Sequence, residues 1–244
     1  MTPLGDLSRI EAVYFAKLAE QAERWDDMVA FIKVAVTSTP DPNLEERNLL
    51  SVAYKNTIGT RRSAWRVLQS VEARERQRGR QRQAALVASA RENLEKELSA
   101  LCDEVLRLLR EQLVPTALSL ESKIFYNKMA GDYYRYLAEY LTGPELEGCA
   151  KKAEDAYAEA AREADANLPP THPMRLGVAL NHSVFHYDVR KDATRACDVA
   201  KTSFDEALGE LDSLSEDGYR DSTLIMQLLR DNLQLWALEI SEAQ

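Results

Sequence analysis

Cysteine is scarce in this chain of 244 residues. Cys102, Cys149 and Cys197 are an odd number at wide spacing, with no CxxC pair. That excludes a disulfide framework, and reduced thiols in a cytosolic protein are the simplest reading. His172, His182 and His186 form no zinc pattern with those cysteines, so no metal is expected. Long apolar runs are missing too. No stretch approaches the roughly 20 apolar residues that a membrane helix needs. Met1 to Arg9 lacks the basic start and apolar run of a signal peptide, so no membrane insertion is expected. Positive charge is in deficit, 31 Lys and Arg against 40 Asp and Glu, a formal charge of -9. A duplex-DNA binder normally carries a basic surplus, because its affinity rests on neutralising phosphates. Nucleic acid is therefore not an expected partner, although a local basic site is still allowed. A Gly-rich phosphate loop, a Ser/His/Asp signature and metal-ligand spacing are absent as well. No cofactor and no enzyme activity are expected, because phosphate bound without a base or metal is held and not transferred.

Apolar and charged residues are plentiful, at 45% and 29% of the chain, enough for a core and a soluble surface. Strand-type alternation is absent and helical spacing is nearly everywhere. Ile10, Tyr14 and Leu18 step by four, and Leu94, Leu98 and Leu101 follow i, i+4, i+7. Breakers fall between such runs: Pro40-Asp41-Pro42, Gly79, Pro115, Gly143-Pro144, Pro169-Pro170 with Pro173, and Gly218. Ser8 with Glu11 and Asn43 with Glu46 read as capping boxes. Pro144 suits a first helical turn, where its missing N–H costs nothing. These signals predict an all-α chain of about eight to ten helices, antiparallel where connections are short. The Arg-rich run Arg74, Arg76, Arg78, Arg80 and Arg82 centres on Gly79. It reads as a solvated turn between two long helices, with a grip on an acidic partner as the alternative.

Two helical faces are cationic. Lys55, Arg62 and Arg66 share one stripe at i, i+7 and i+11. Lys128, Asp132 and Arg135 share another at i, i+4 and i+7, with Tyr136 beside it. A phosphate monoester, with about -1.5 to -2 charge and three acceptor oxygens, suits such a set. Arg donates two parallel bonds, Lys adds a point charge and Tyr a neutral donor. Spacing alone is equally compatible with surface cations paired to nearby Glu.

The last helix has more apolar face than the ~100° that an amphipathic helix needs. Met226, Leu229, Leu233, Trp236 and Ile240 form a core stripe. Leu224, Leu228 and Leu235, with Ile225 near them, form a second stripe with Asn232 inside it. That helix is either buried on two sides or lines a groove. Gly177, Asn181, Val184 and Asp188 make another stripe. Asn181 and Asn232 could clamp the backbone of an extended peptide, or simply bridge two helices.

Five strings resemble the 14-3-3 family closely. They are AKLAEQAERWDDM (Ala16 to Met28), LLSVAYKNTIGTRRSAWRV (Leu49 to Val67), ESKIFYNKMAGDYYRYLAEY (Glu121 to Tyr140), RLGVALNHSVFHYDV (Arg175 to Val189) and DSTLIMQLLRDNLQLW (Asp221 to Trp236). The resemblance covers about residues 5 to 240. It implies one domain over 1–244: a cup-shaped bundle of about nine antiparallel helices that dimerises through its N-terminal helices. Residues 1–112 would supply the dimer contact and half of an amphipathic groove, 113–240 the other half, and 241–244 a short tail. The implied function is a non-catalytic adaptor for phosphoserine and phosphothreonine segments of client proteins, in signalling. The implied partners are those clients and a second copy or a paralogue, in the cytoplasm, with the nucleus as a further location. A helical scaffold for unmodified peptides is the alternative.

By the same resemblance, Lys55, Arg62, Arg135 and Tyr136 hold the phosphate, and Asp132 supports that pocket. Asn181 and Asn232 hold the peptide backbone, and Lys128 is a groove lysine. Leu180, Val184, Leu224, Ile225, Leu228 and Leu235 form the apolar wall, with Trp236 near its end. At the dimer contact stand Leu18, Ala22, an Arg24–Glu97 ion pair and Asp27. There are departures. Ala90 stands where a large Tyr is typical, Asn93 where a Lys partner of Asp27 is, and Ala64 where relatives carry a modifiable Ser. A weaker dimer without that switch is expected. His182 and His186 replace aromatic residues, and Asp188 replaces Glu in the groove. Tolerated packing, altered peptide preference and a pH response are the readings of those changes.

Overall fold

The computed structural model describes residues 6–211 and 216–242. The described residues form helices joined by turns, with no strand among them. They fall into two compact units, Met1–Ala117 and Leu118–Gln244.

The first unit holds α1 (Arg9–Gln21), α2 (Trp25–Thr37), α3 (Leu44–Gln77) and α4 (Gln81–Leu108). Both predicted capping boxes form. The Ser8 side chain accepts from the Glu11 amide, Asn43 accepts from the Glu46 amide, and each Glu carboxylate accepts from its cap's backbone N–H. Two of the orphan donors at each helix start are thereby satisfied. Successive helices pack on one another, α1 on α2, α2 on α3 and α3 on α4. Small residues (Ala12, Ala16 and Ala35) and larger ones (Met28, Ile32, Leu50, Ile58 and Leu98) are fully buried between them. The α4 run does not stop at Pro115, as its sequence suggested. It passes through a π turn, Leu109–Leu113, into a last α turn, Val114–Thr116. Proline lacks the N–H for a regular α turn, and the wider turn directly ahead of it absorbs the irregularity.

The Arg-rich run is a turn, with Gly79 at φ +72°, a backbone region that glycine enters without a Cβ clash. Buried glutamates partly neutralise it. Glu75 pairs with Arg74, Arg78 and Arg80, and Glu72 pairs with Arg76 and, at 2.7 Å, with Arg91. The bond from Arg91 outweighs burial and holds the Glu72 carboxyl below its usual range.

The second unit holds α5 (Leu120–Ala138), α6 (Gly143–Asn167), α7 (Pro173–Asp188), α8 (Ala193–Glu210) and α9 (Glu216–Glu242). Counting residues 81–116 as one run, the described residues make nine helices. Pro144 does sit in the first turn of α6. Gly218 does not break a helix; it falls in the first turn of α9, where few helical hydrogen bonds have yet formed. Helix α7 packs against all four of its companions. Alanines make this possible. Ala150, Ala153, Ala160 and Ala164 on α6, and Ala196, Ala200 and Ala207 on α8, are buried, and their small side chains let helix axes approach. On α9, Met226, Leu229 and Trp236 are buried with that core, as the first apolar stripe predicted.

Candidate functional site

The second unit builds its polar site around one carboxylate. Asp132 and Arg135 lie on the inner face of α5 and are both buried. Asp132 Oδ2 accepts from Lys128 Nζ at 2.9 Å, one helical turn back. Its Oδ1 accepts from Tyr157 Oη at 2.6 Å, from Asn181 Nδ2 at 2.6 Å and from Arg135 Nη2 at 3.4 Å. Arg135 Nε donates in turn to Tyr157 Oη at 3.1 Å. The guanidinium also lies over the Tyr136 ring, 4.8 Å from its centroid. Three helices thus converge: α5 supplies Lys128, Asp132, Arg135 and Tyr136, α6 supplies Tyr157, and α7 supplies Asn181.

The charges are mutually dependent. Burial pushes the Asp132 carboxyl up, but the charges of Lys128 and Arg135, with bonds from Lys128 and Tyr157, outweigh it and hold the group below its usual range. Burial works against the Arg135 charge, yet Tyr157 and Asp132 keep it protonated. Burial and the Asp132 charge raise the Tyr157 phenol. A buried charge survives only when paired and hydrogen-bonded, and here each one is.

Tyr157 was invisible as a site residue in sequence. It sits in an alanine-rich helix and carries no motif. Gly131 is the one signal that could have found it. A Cβ at Gly131 would stand 2.7 Å from Tyr157 Cε1, so this glycine lets the ring reach the Asp132 carboxylate.

The apolar wall is in the same unit. Leu224, Leu228 and Leu235 on α9 are 66%, 46% and 53% exposed. The second stripe of the last helix is therefore left open by the rest of the chain. Leu180, Val184 and Ile225 are half-buried against the α7–α9 core and extend that surface inward. Asn232 is half-buried and Asp188, at the end of α7, is exposed. Trp236 is a core residue, stacked on Tyr187 with ring centroids 5.0 Å apart.

In the first unit, α3 carries Lys55 exposed and Arg62 half-buried, with Arg66 exposed on the same stripe. The helix is fixed from its other side. Tyr54 donates to Glu104 at 2.6 Å, Trp65 to Glu95 at 2.7 Å, and Arg61 to Asp26 and Glu97. Of the residues expected at a dimer contact, Leu18, Ala22, Arg24, Ala90 and Glu97 are exposed, and Asp27 is half-buried. Ile10 and Tyr14 extend the Leu18 stripe and are 82% and 59% exposed. Within the chain, Arg24 pairs with Asp27, and Glu97 with Arg61 at 3.2 Å.

The model of the family described as "14-3-3 protein" matches residues 15–237. The chain belongs to the 14-3-3 family. It is 55% identical over 244 residues to 14-3-3-like protein B of Hordeum vulgare, covering 99% of this chain and 93% of that one. It is 53% identical over 241 residues to 14-3-3-like protein A of Glycine max, covering 98% and 94%. It is 56% identical over 229 residues to the checkpoint signal transducer rad25 of Schizosaccharomyces pombe, covering 94% and 85%. Membership makes the chain a non-catalytic adaptor with a regulatory role. No described helix is long and apolar enough to cross a membrane.

One further polar cluster lies outside this site. Glu154, His182 and His186 bring one carboxylate oxygen and two imidazole nitrogens within 4.8 Å of one another.

Proposed function

We propose that this adaptor binds phosphoserine- and phosphothreonine-containing segments of client proteins. Lys55, Arg62, Arg135 and Tyr136 serve the phosphate, the role that the family resemblance gives them. Asn181, Asn232 and Lys128 serve the peptide backbone, and Leu180, Val184, Leu224, Ile225, Leu228 and Leu235 its apolar side chains. The carrying observation is the pose of Arg135. A buried guanidinium is fixed by Asp132 and Tyr157, and the same unit leaves a leucine stripe exposed on α9. A fixed guanidinium loses little freedom on gripping a phosphate, and exposed leucines suit an amphipathic segment. The exposed Ile10, Tyr14 and Leu18 of α1 support a dimer through the N-terminal helices, with the chain acting as one domain in the cytoplasm.

Fluorescence polarisation with paired peptides, one phosphorylated and one not, tests the reading. The phosphorylated peptide should bind at least ~100-fold tighter, since each charged hydrogen bond contributes about 1.5–3 kcal/mol. That preference should shrink below about pH 6, where the phosphate loses its second charge. Equal affinity for the two peptides sinks the proposal and leaves a scaffold for unmodified segments.

A further inference from the structure

We propose that Glu154, His182 and His186 form a binding site for one divalent transition-metal ion, with Zn2+ as the best match. His182 and His186 are one turn apart on α7, so both imidazoles leave the same face of the helix. Glu154 comes from α6, which packs on that face. Glu154 Oε1 stands 3.5 Å from His182 Nε2 and 3.8 Å from His186 Nε2. Ligands about 2.0–2.1 Å from a tetrahedral zinc lie about 3.3–3.4 Å from one another. The two carboxylate–imidazole edges are therefore close to those of a zinc tetrahedron, and the imidazole–imidazole edge is within 4.8 Å.

Burial gives the independent sign. His186 is 6% exposed, and its Nε2 is buried with no hydrogen-bond partner. A buried polar atom without a partner is costly, and this one points at the carboxylate from beyond hydrogen-bond reach. A cation between them would satisfy the nitrogen and both of its neighbours. Packing alone does not ask for imidazole. The His182 ring stacks on Tyr157 at 5.5 Å and 20°, a contact that a phenyl ring would make equally well.

The donor set selects the metal class. Two imidazoles and one carboxylate are the ligands of a three-residue zinc site, with water in the fourth position. Magnesium and calcium prefer all-oxygen shells. Access is open on two sides. Glu154 is one-third exposed, and His182 lines a cavity of about 340 Å³ bounded by α6, α7 and α8. Arg190 Nε lies 3.5 Å from the other carboxylate oxygen, Oε2. It orients Glu154, leaves Oε1 for the metal, and lowers affinity by its charge. Arg195 also acts on both imidazoles, and Asp192 on His186.

The test is a titration of the tag-free, full-length protein with Co2+ and then Zn2+. Saturable visible bands of tetrahedral Co2+, at about one ion per chain and erased by Zn2+, are expected. Replacing one ligand by an aromatic ring, as in His186→Phe or His182→Phe, should weaken Zn2+ binding by at least ~10-fold, the lower end of what even an outer-shell loss costs. The chain has only three histidines, which permits a direct check should either variant misfold. On adding Zn2+ to the unmodified protein, the imidazole resonances of His182 and His186 should shift and those of His172 should not. Absence of the Co2+ bands, unchanged affinity in folded variants, or a shift confined to His172 overturns the proposal.

Discussion

Lys55 and Arg135 are proposed to serve the same phosphate, yet the two units hold these cations in opposite ways. Arg135 is buried, and a carboxylate, a phenol and an aromatic face fix its position. Lys55 stands exposed on α3, whose anchoring bonds include those of Tyr54, Trp65 and Arg61. In the second unit, binding chemistry and fold stability therefore share residues. In the first, the exposed Lys55 is separate from the bonds of Tyr54, Trp65 and Arg61 that fix the helix. Substituting Asp132 should damage the fold and the proposed site together, and substituting Lys55 the proposed site alone.

Asp132→Ala should give the largest effect. It removes the acceptor of Lys128, Tyr157, Asn181 and Arg135 at once and leaves a buried guanidinium unpaired. Breaking a buried pair in this way costs about 3–5 kcal/mol, read as a lowered midpoint in urea. A loss under 1 kcal/mol would put the two units on an equal footing. Gly131→Ala comes next. The added methyl meets the fully buried Tyr157 ring, and overpacking of this kind costs about 1–3 kcal/mol. Thermal unfolding followed by circular dichroism measures it, and an unchanged midpoint would show that the ring has room to move.

Acid sharpens the comparison further. The Asp132 carboxyl is held below its usual range in the folded state. Its stabilisation is complete above the unfolded aspartate value of about 3.9, and it is lost as pH falls through the lower folded value. Wild type and Asp132→Asn should thus differ in stability at neutral pH, begin to converge below about pH 3.9, and meet only below the lower folded value. A gap that stays constant into acid would mean that the charge is not what stabilises. Lys55→Glu should move stability least, within about 0.5 kcal/mol as for other surface changes. It should still weaken phosphopeptide binding by at least ~10-fold, because it sets a like charge beside the phosphate. A folded variant that binds as before would remove Lys55 from the site.

Much of the helical framework was legible because its signals are local. Ser8 with Glu11 and Asn43 with Glu46 name two helix starts, and both form. The 3.6-residue period separated the Met226–Leu229–Trp236 stripe from Leu224–Leu228–Leu235, and burial divides them in the same way. Pro115 and Gly218 fall within two residues of a helix end rather than between helices. A breaker's effect depends on where in a helix it falls, and each sits within a turn of an end or of a π turn. Tyr157 and Glu154 were not legible at all. Each acts on a residue some 25 or 28 positions away, and sequence spacing reports neighbours only along one helix.

The sequence by itself therefore determined the all-helical class, the helix starts, the two apolar stripes of α9, and the family. All of these follow from short-range periodicity or from strings read in order. Tertiary structure alone decided that Asp132 is the hub of the polar site, that Gly131 exists to admit Tyr157, and that Glu154 faces His182 and His186. Those pairings are set by how closely α5, α6 and α7 pack, and that closeness is a property of alanines and glycines whose partners lie on other helices.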